Sequence, residues 1–196
     1  MDGDGWPKPE ACLKLLEKRL SLPRMAHCIS VGGYLAALAP RLGLEEAPAL
    51  CAGLLHDVCR DLRKSDMLAR AERHGLVLEA PQRTQPILLH GPLAAGYCRR
   101  KLNIGDEAVL EAIHWHTTGR PGLGRLGQAL YFCDFSEPLR TYPEAAEARR
   151  MLDAHGFDAA LRYVAENKLR HLEKRAASDP VTESFLAWLF EGAAHG

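Results

Sequence analysis

Ala52-Gly-Leu-Leu-His-Asp-Val58 is the stretch that decides the fold. It closes an apolar run that reads as a short helix from about Glu46 to Val58, with small and branched residues at core-facing spacing. The run ends on an imidazole and a carboxylate side by side, His56 and Asp57. Burying an ionised aspartate costs several kcal/mol unless the charge is paired or coordinated. A divalent metal removes that cost, and so does an Asp–His hydrogen bond within the core. These two residues alone leave both readings open.

Outward from this stretch the periodicity is helical nearly throughout, with no convincing alternating strand. A first helix starts near Pro9, where proline suits the first turn, and runs to Leu20. A second begins at Leu22–Pro23, carries an apolar stripe of Cys28, Val31, Leu35 and Leu38, and is closed by Gly43. After the Glu46–Val58 helix, another spans about Ser65–His74, and residues 76–86 form the longest irregular stretch. Helix resumes from His90 to Leu102. Asp106 is a good N-cap for a helix ending near Trp115. Thr117–Gly124 is a loop rich in glycine and proline. Helices follow at about Leu126–Glu137, Pro143–His155 and Asp158–Arg175. Ser178-Asp179-Pro180 announces a last helix to about Phe190. No repeat or linker divides the chain, so residues 1–196 are expected to form a single all-α helical domain.

Composition narrows the function classes. Of 196 residues 47% are apolar, ordinary for a globular chain that buries a core, and 25 basic residues balance 25 acidic ones. No excess positive field therefore points to nucleic acid or an anionic membrane. The longest apolar runs, such as Ala49–Leu55, are too short to span a bilayer. The N-terminus carries no secretory pattern, and the six cysteines form no CxxC pair. They read as reduced core residues of a cytoplasmic protein.

The nine histidines separate by neighbourhood. His74, His155, His171 and His195 lie in polar helix ends or the tail and read as solvated. His27 lies on the buried stripe of its helix, one turn after Arg24. His90 follows Ile87-Leu-Leu, His116 opens His116-Thr-Thr-Gly119, and Asp134 shares a helix face with Leu126 and Leu130. Four imidazoles and two carboxylates, each from a core-facing helical segment, can converge in a bundle interior as metal ligands. His114 cannot aim at the same centre as His116, because residues two apart on a helix do not share a face. It is expected to form a wall.

The ordered set His27, His56-Asp57, His90, His116 and Asp134 resembles the HD superfamily of metal-dependent phosphohydrolases. Leu54-Leu-His-Asp-Val-Cys-Arg-Asp61, His90-Gly-Pro-Leu-Ala-Ala95, Ala112-Ile-His-Trp-His-Thr-Thr-Gly-Arg120 and Tyr131-Phe-Cys-Asp-Phe-Ser-Glu-Pro-Leu-Arg140 narrow the resemblance to its YqeK branch, the bacterial symmetrical bis(5'-nucleosyl)-tetraphosphatases. The resemblance covers roughly residues 15–175. Cys133 stands where that family usually has alanine, and Leu139 where it usually has glycine. The segment after about residue 178 matches nothing assignable.

The resemblance implies an HD-domain helical bundle with a two-metal site in its core. Iron is favoured, and manganese, cobalt and zinc suit the same donors. His27, His56 and Asp134 would bind one metal and His90 and His116 the other, with Asp57 bridging. Such a pair activates water and clamps phosphoryl oxygens. Arg60 and Asp61 are the expected auxiliaries to Asp57 in catalysis. Arg24, Thr117, Thr118, Gly119, Arg120 and Arg140 are expected to hold the substrate, a dinucleoside polyphosphate cut symmetrically to two ADP. A homodimer is compatible with this reading. The competing readings are an HD-type nucleotidase or deoxynucleotide phosphohydrolase, a non-catalytic metal- and nucleotide-binding module, and a structural bundle with histidines in its core.

Overall fold

A computed structural model describes residues 5–78, 80–174 and 180–191, and no strand occurs among them. The helices in chain order are α1 (Pro9–Arg19), α2 (Leu22–Leu38), α3 (Glu46–Leu55), α4 (Lys64–Arg73), α5 (Ala80–Thr84), α6 (His90–Leu102), α7 (Glu107–Trp115), α8 (Arg125–Ser136), α9 (Pro143–His155), α10 (Phe157–Lys174) and α11 (Pro180–Glu191). The fold is all-α.

Local chemistry sets most of the ends. Prolines occupy the first turns of α1, α2 and α9, where a backbone N–H would be unsatisfied in any case. Asp106 caps α7 by accepting from the Val109 N–H at 3.0 Å. Gly43 closes not α2 itself but a 3-10 turn, Ala39–Leu42, that extends it. The expected irregular stretch at 76–86 contains α5 and leads into a second 3-10 turn, Pro86–Leu89. Pro81 and Pro86 both sit in first-turn positions, where they start helix rather than break it. The Ser178-Asp179 cap and His195 lie outside the described residues.

The α3 helix ends at Leu55, three residues earlier than its apolar pattern suggests. The reason is chemical. The Gly53 carbonyl, which a continuing helix would give to the Asp57 N–H, accepts instead from the His56 ring at 2.7 Å. The chain then tightens, with Val58 N donating to Leu55 O and Arg60 N to Asp57 O. His56 and Asp57 therefore leave the helix where its buried end meets the rest of the bundle.

Two close approaches bring the polar segments together. A Cβ on Gly53 would lie 2.6 Å from the Gly32 Cα, so α2 and α3 touch backbone to backbone. That contact sets His27 and His56 ring to ring at 5.3 Å. A Cβ on Gly91 would lie 2.5 Å from the His114 carbonyl oxygen, so the start of α6 rests on the end of α7. There the His90 and His116 rings are 4.8 Å apart. The α8 helix packs against α2, α3, α7, α9 and α10. Its centre, Ala129 to Cys133, is fully buried and delivers Asp134 beside the histidines.

Candidate metal centre

Three of the imidazoles are oriented by one repeated device. His56 caps the end of α3, His90 opens α6 and His116 caps the end of α7. Each ring uses Nδ1 to donate to the carbonyl three residues earlier: Gly53 at 2.7 Å, Ile113 at 2.8 Å, and Ile87. A carbonyl can only accept, so Nδ1 carries the proton and Nε2 presents a lone pair inward. This is the tautomer that a metal-binding imidazole needs.

The inward nitrogens meet other acceptors. Nε2 of His90 and Nε2 of His116 lie 2.9 Å apart. Asp57 Oδ1 is 3.2 Å from the first and 3.5 Å from the second. His56 Nε2 lies 3.7 Å from Asp57 Oδ2 and 3.8 Å from Asp134 Oδ1. Buried in this cluster, His56 Nε2 and Asp57 Oδ1 have no hydrogen-bond partner. Burial holds His56 neutral, its pKa pushed down to about 4, and pushes His90 down as well. Lone pairs aimed at one another in a dry interior repel, and each orphaned acceptor costs about 1–3 kcal/mol. A cation among them reverses both effects, so the donor set fits a metal centre. The atoms fall into two groups that can each hold an ion, His27–His56–Asp57 and Asp57–His90–His116, with Asp57 common to both.

His27 is held differently. Its Nδ1 lies 3.1 Å from Glu137 Oε1 and its Nε2 3.0 Å from Asp134 Oδ1. Burial alone would lower its pKa, but hydrogen bonds to Asp134 and Glu137 leave it raised. Glu137 is itself buried. It accepts from Ser30 Oγ at 2.5 Å and from the Leu139 N–H at 2.6 Å. Glu137 has no role that its own neighbourhood in the sequence announces beyond the Glu-Pro step that follows Asp134. Burial would raise the pKa of Asp57 and Asp134, yet both lie well below the usual carboxylate range. His27 with Lys168 holds Asp134 down, and Arg24, donating to Asp57 Oδ2 at 2.9 Å, is the cation beside Asp57.

Of the arginines expected at the site, two reach the carboxylates. Arg24 Nη1 donates to Asp57 Oδ2 at 2.9 Å, and Arg140 Nη2 lies 3.6 Å from Asp134 Oδ1. Arg120 instead pairs with Glu111 at 2.8 Å, one helix back on α7. No hydrogen bond or ion pair joins the Arg60 side chain to the cluster among the described residues. Asp61 is exposed and accepts from the Ser21 N–H at 2.7 Å, at the start of α2. Lys168 on α10 arrives unannounced: its Nζ lies 3.9 Å from Asp134 Oδ2. Burial pushes its pKa down to about 8 against the pull of Asp134.

The loop after α7 divides its tasks. Thr117 Oγ1 is 3.1 Å from Nε2 of both His90 and His116. Thr118 donates to the Gly119 carbonyl. Gly119 has φ +68°, and a Cβ there would lie 2.2 Å from a Phe185 ring carbon, so α11 packs directly on this residue. His114 stands outside both donor groups, its ring against Trp115 at 4.4 Å. Cys133 is fully buried behind Asp134, and Leu139 is exposed beside Arg140. A cleft of about 750 Å³ opens from Asp134, Thr117 and Thr118 toward Phe135, Tyr142 and the Lys168–Leu172 side of α10. His171, expected to be merely solvated, lines this cleft.

The model of the HD domain family matches residues 24–161, a span that contains all six clustered residues. The chain belongs to the HD-domain family. This HD-domain protein is 28% identical to the symmetrical bis(5'-nucleosyl)-tetraphosphatase of Bacillus subtilis (strain 168), over 94% of this chain and 98% of the relative. It is 31% identical to the protein of the same name from Staphylococcus aureus (strain NCTC 8325 / PS 47), over 72% and 73% of the two chains. Its fold matches a protein from Clostridium acetobutylicum described as a predicted HD superfamily hydrolase involved in NAD metabolism. That match has a TM-score of 0.90 and 25% identity, and covers 95% of this chain and 99% of the other. No helix among the described residues is long and apolar enough to cross a membrane.

Proposed function

We propose that this HD-domain protein hydrolyses diadenosine tetraphosphate at its central phosphoanhydride, releasing two ADP. One observation carries the reading. Two donor groups share a buried aspartate whose Oδ1 has no hydrogen-bond partner, and Asp134 beside them lines a cleft together with Thr117 and Lys168. The relatives named for symmetrical cleavage supply the choice of substrate.

In this reading His27, His56 and Asp134 would hold one metal and His90 and His116 the other, with Asp57 available to both. Iron is the favoured metal, with manganese, cobalt or zinc as substitutes that the same donors accept. Such ions, when bound, acidify water toward neutral pKa and neutralise phosphoryl oxygens. The protein's own groups do the rest. Arg24 and Arg140 already lean on the two carboxylates, and a guanidinium fork matches phosphate oxygens. Thr117 places a hydroxyl between the two imidazoles and the cleft. Water adds to one of the two central phosphorus atoms, and the bond from that atom to the central bridging oxygen breaks. The bridging oxygen leaves on the other ADP, and the proton passes to solvent. The chain acts as one helical domain of a cytoplasmic enzyme.

Iron-loaded protein under reducing conditions, given diadenosine tetraphosphate, is expected to yield ADP alone. ATP plus AMP, or no turnover, overturns the reading. A parallel screen of mono-, di- and triphosphates separates it from a nucleotidase or a deoxynucleotide phosphohydrolase. Tight nucleotide binding with no product over hours identifies a regulatory module.

A further inference from the structure

The cleft carries a cation that no motif points to. Lys168 projects from α10 with its side chain only 19% exposed. Its Nζ lies 3.5 Å from the centre of the Tyr131 ring, 3.4 Å from the His116 carbonyl oxygen and 3.9 Å from Asp134 Oδ2. An ammonium has three N–H donors. Among the described residues only the carbonyl lies within hydrogen-bond distance. The carboxylate is beyond that distance, and its other oxygen already faces His27 at 3.0 Å and Arg140 at 3.6 Å. The third side of the nitrogen is taken by an aromatic face, which attracts a cation but does not replace a hydrogen-bond acceptor. Phe185 packs edge-on against Tyr131 at 5.1 Å, so this face is fixed from behind by α11.

A half-buried, under-partnered ammonium is stabilised by an anion, and the space for one is present. Lys168 lines the 750 Å³ cleft together with Asp134, Phe135 and Tyr142. Phe135 and Tyr142 form an edge-to-face pair with ring centres 5.4 Å apart, and the Tyr142 hydroxyl donates to the Phe135 carbonyl. That makes a rigid aromatic wall of the kind on which a base packs. The cationic end of the cleft adjoins the metal cluster at Asp134, and the aromatic pair lines the same cleft.

We propose that this cleft binds one nucleoside diphosphate half of the substrate, with Lys168 holding its phosphates beside Asp134 and the Phe135–Tyr142 pair carrying its base. The proposal deepens the reading of the function given above and rests on it for the identity of the nucleotide.

The test titrates ADP, and separately adenosine, into metal-loaded wild type, Lys168→Met, Lys168→Gln and Lys168→Arg, with melting temperatures recorded alongside. Loss of one charged hydrogen bond predicts ADP binding weakened about ten- to a hundredfold in the Met and Gln variants. Adenosine affinity is expected to stay within about twofold, and the Arg variant to bind ADP more tightly than the Met variant. The Gln variant keeps a polar head and decides the matter if the Met variant does not fold. ADP binding unchanged in a folded variant, equal losses for ADP and adenosine, or no ADP binding by wild type each overturns the proposal. The reading of the reaction fails separately, if wild type produces ATP and AMP from diadenosine tetraphosphate while ADP binding still depends on Lys168.

Discussion

His27 and His116 flank the same imidazole, with ring centres 5.3 Å and 4.8 Å from that of His56, yet they are aimed by different means. His116, like His56 and His90, is steered by a carbonyl three residues back in its own segment. His27 is steered by Glu137, 110 positions along the chain, which is itself fixed by Ser30 and the Leu139 N–H. The His90–His116 half of the site is therefore aimed wholly by local backbone, whereas the other half takes one of its imidazoles, His27, from a long-range carboxylate. In the His90–His116 half no side chain orients Nδ1, so no orienting side chain can be removed there. The long-range half can be loosened at Glu137 without touching a proposed ligand.

Asp57→Asn breaks the comparison altogether, because Asp57 is the one residue common to both halves. It is expected to lower metal content on both sides. The loss of turnover should exceed the roughly 10–100-fold typical when only a ligand's orienting partner is removed. Metal analysis and turnover measure it; a variant that keeps both metals and its rate contradicts the sharing. Glu137→Gln sharpens the comparison. It should weaken one metal by about 10–100-fold and leave the other bound, visible as a fall from two metals per chain toward one under limiting metal. Equal weakening of both would mean that the halves are not independent. Asp61→Ala is the smallest change. Its carboxylate serves the Ser21 N–H, so the expected loss is about 0.5–1.5 kcal/mol of stability with kcat/KM within about twofold of wild type. A loss of rate as large as that of Glu137→Gln would bring Asp61 into the chemistry.

The same division explains what the sequence disclosed. Helix positions follow from local periodicity and caps, as at Asp106 and Pro9, and those elements stand in the structure. His56, His90 and His116 were legible because each ends or begins an apolar helix and satisfies Nδ1 locally. The early stop of α3 was not legible, because apolar periodicity does not record that an imidazole will take the Gly53 carbonyl. Glu137 was hidden by the length of its reach to His27. Lys168 belongs to no motif, and only the fold lays it over Tyr131. Arg120 shows the converse: near the ligands in sequence, it is drawn off by Glu111. The packing of Phe185 on Gly119 joins α11 to the loop that carries His116, a tertiary contact that neither segment signals alone.

A metal-edge anomalous difference map of crystals grown from iron-loaded protein under reducing conditions tests the central claim most directly. The account predicts two peaks against Asp57, one bounded by His27, His56 and Asp134 and the other by His90 and His116. A single peak, a peak on His114 in place of His116, or no peak at Asp57 would contradict it.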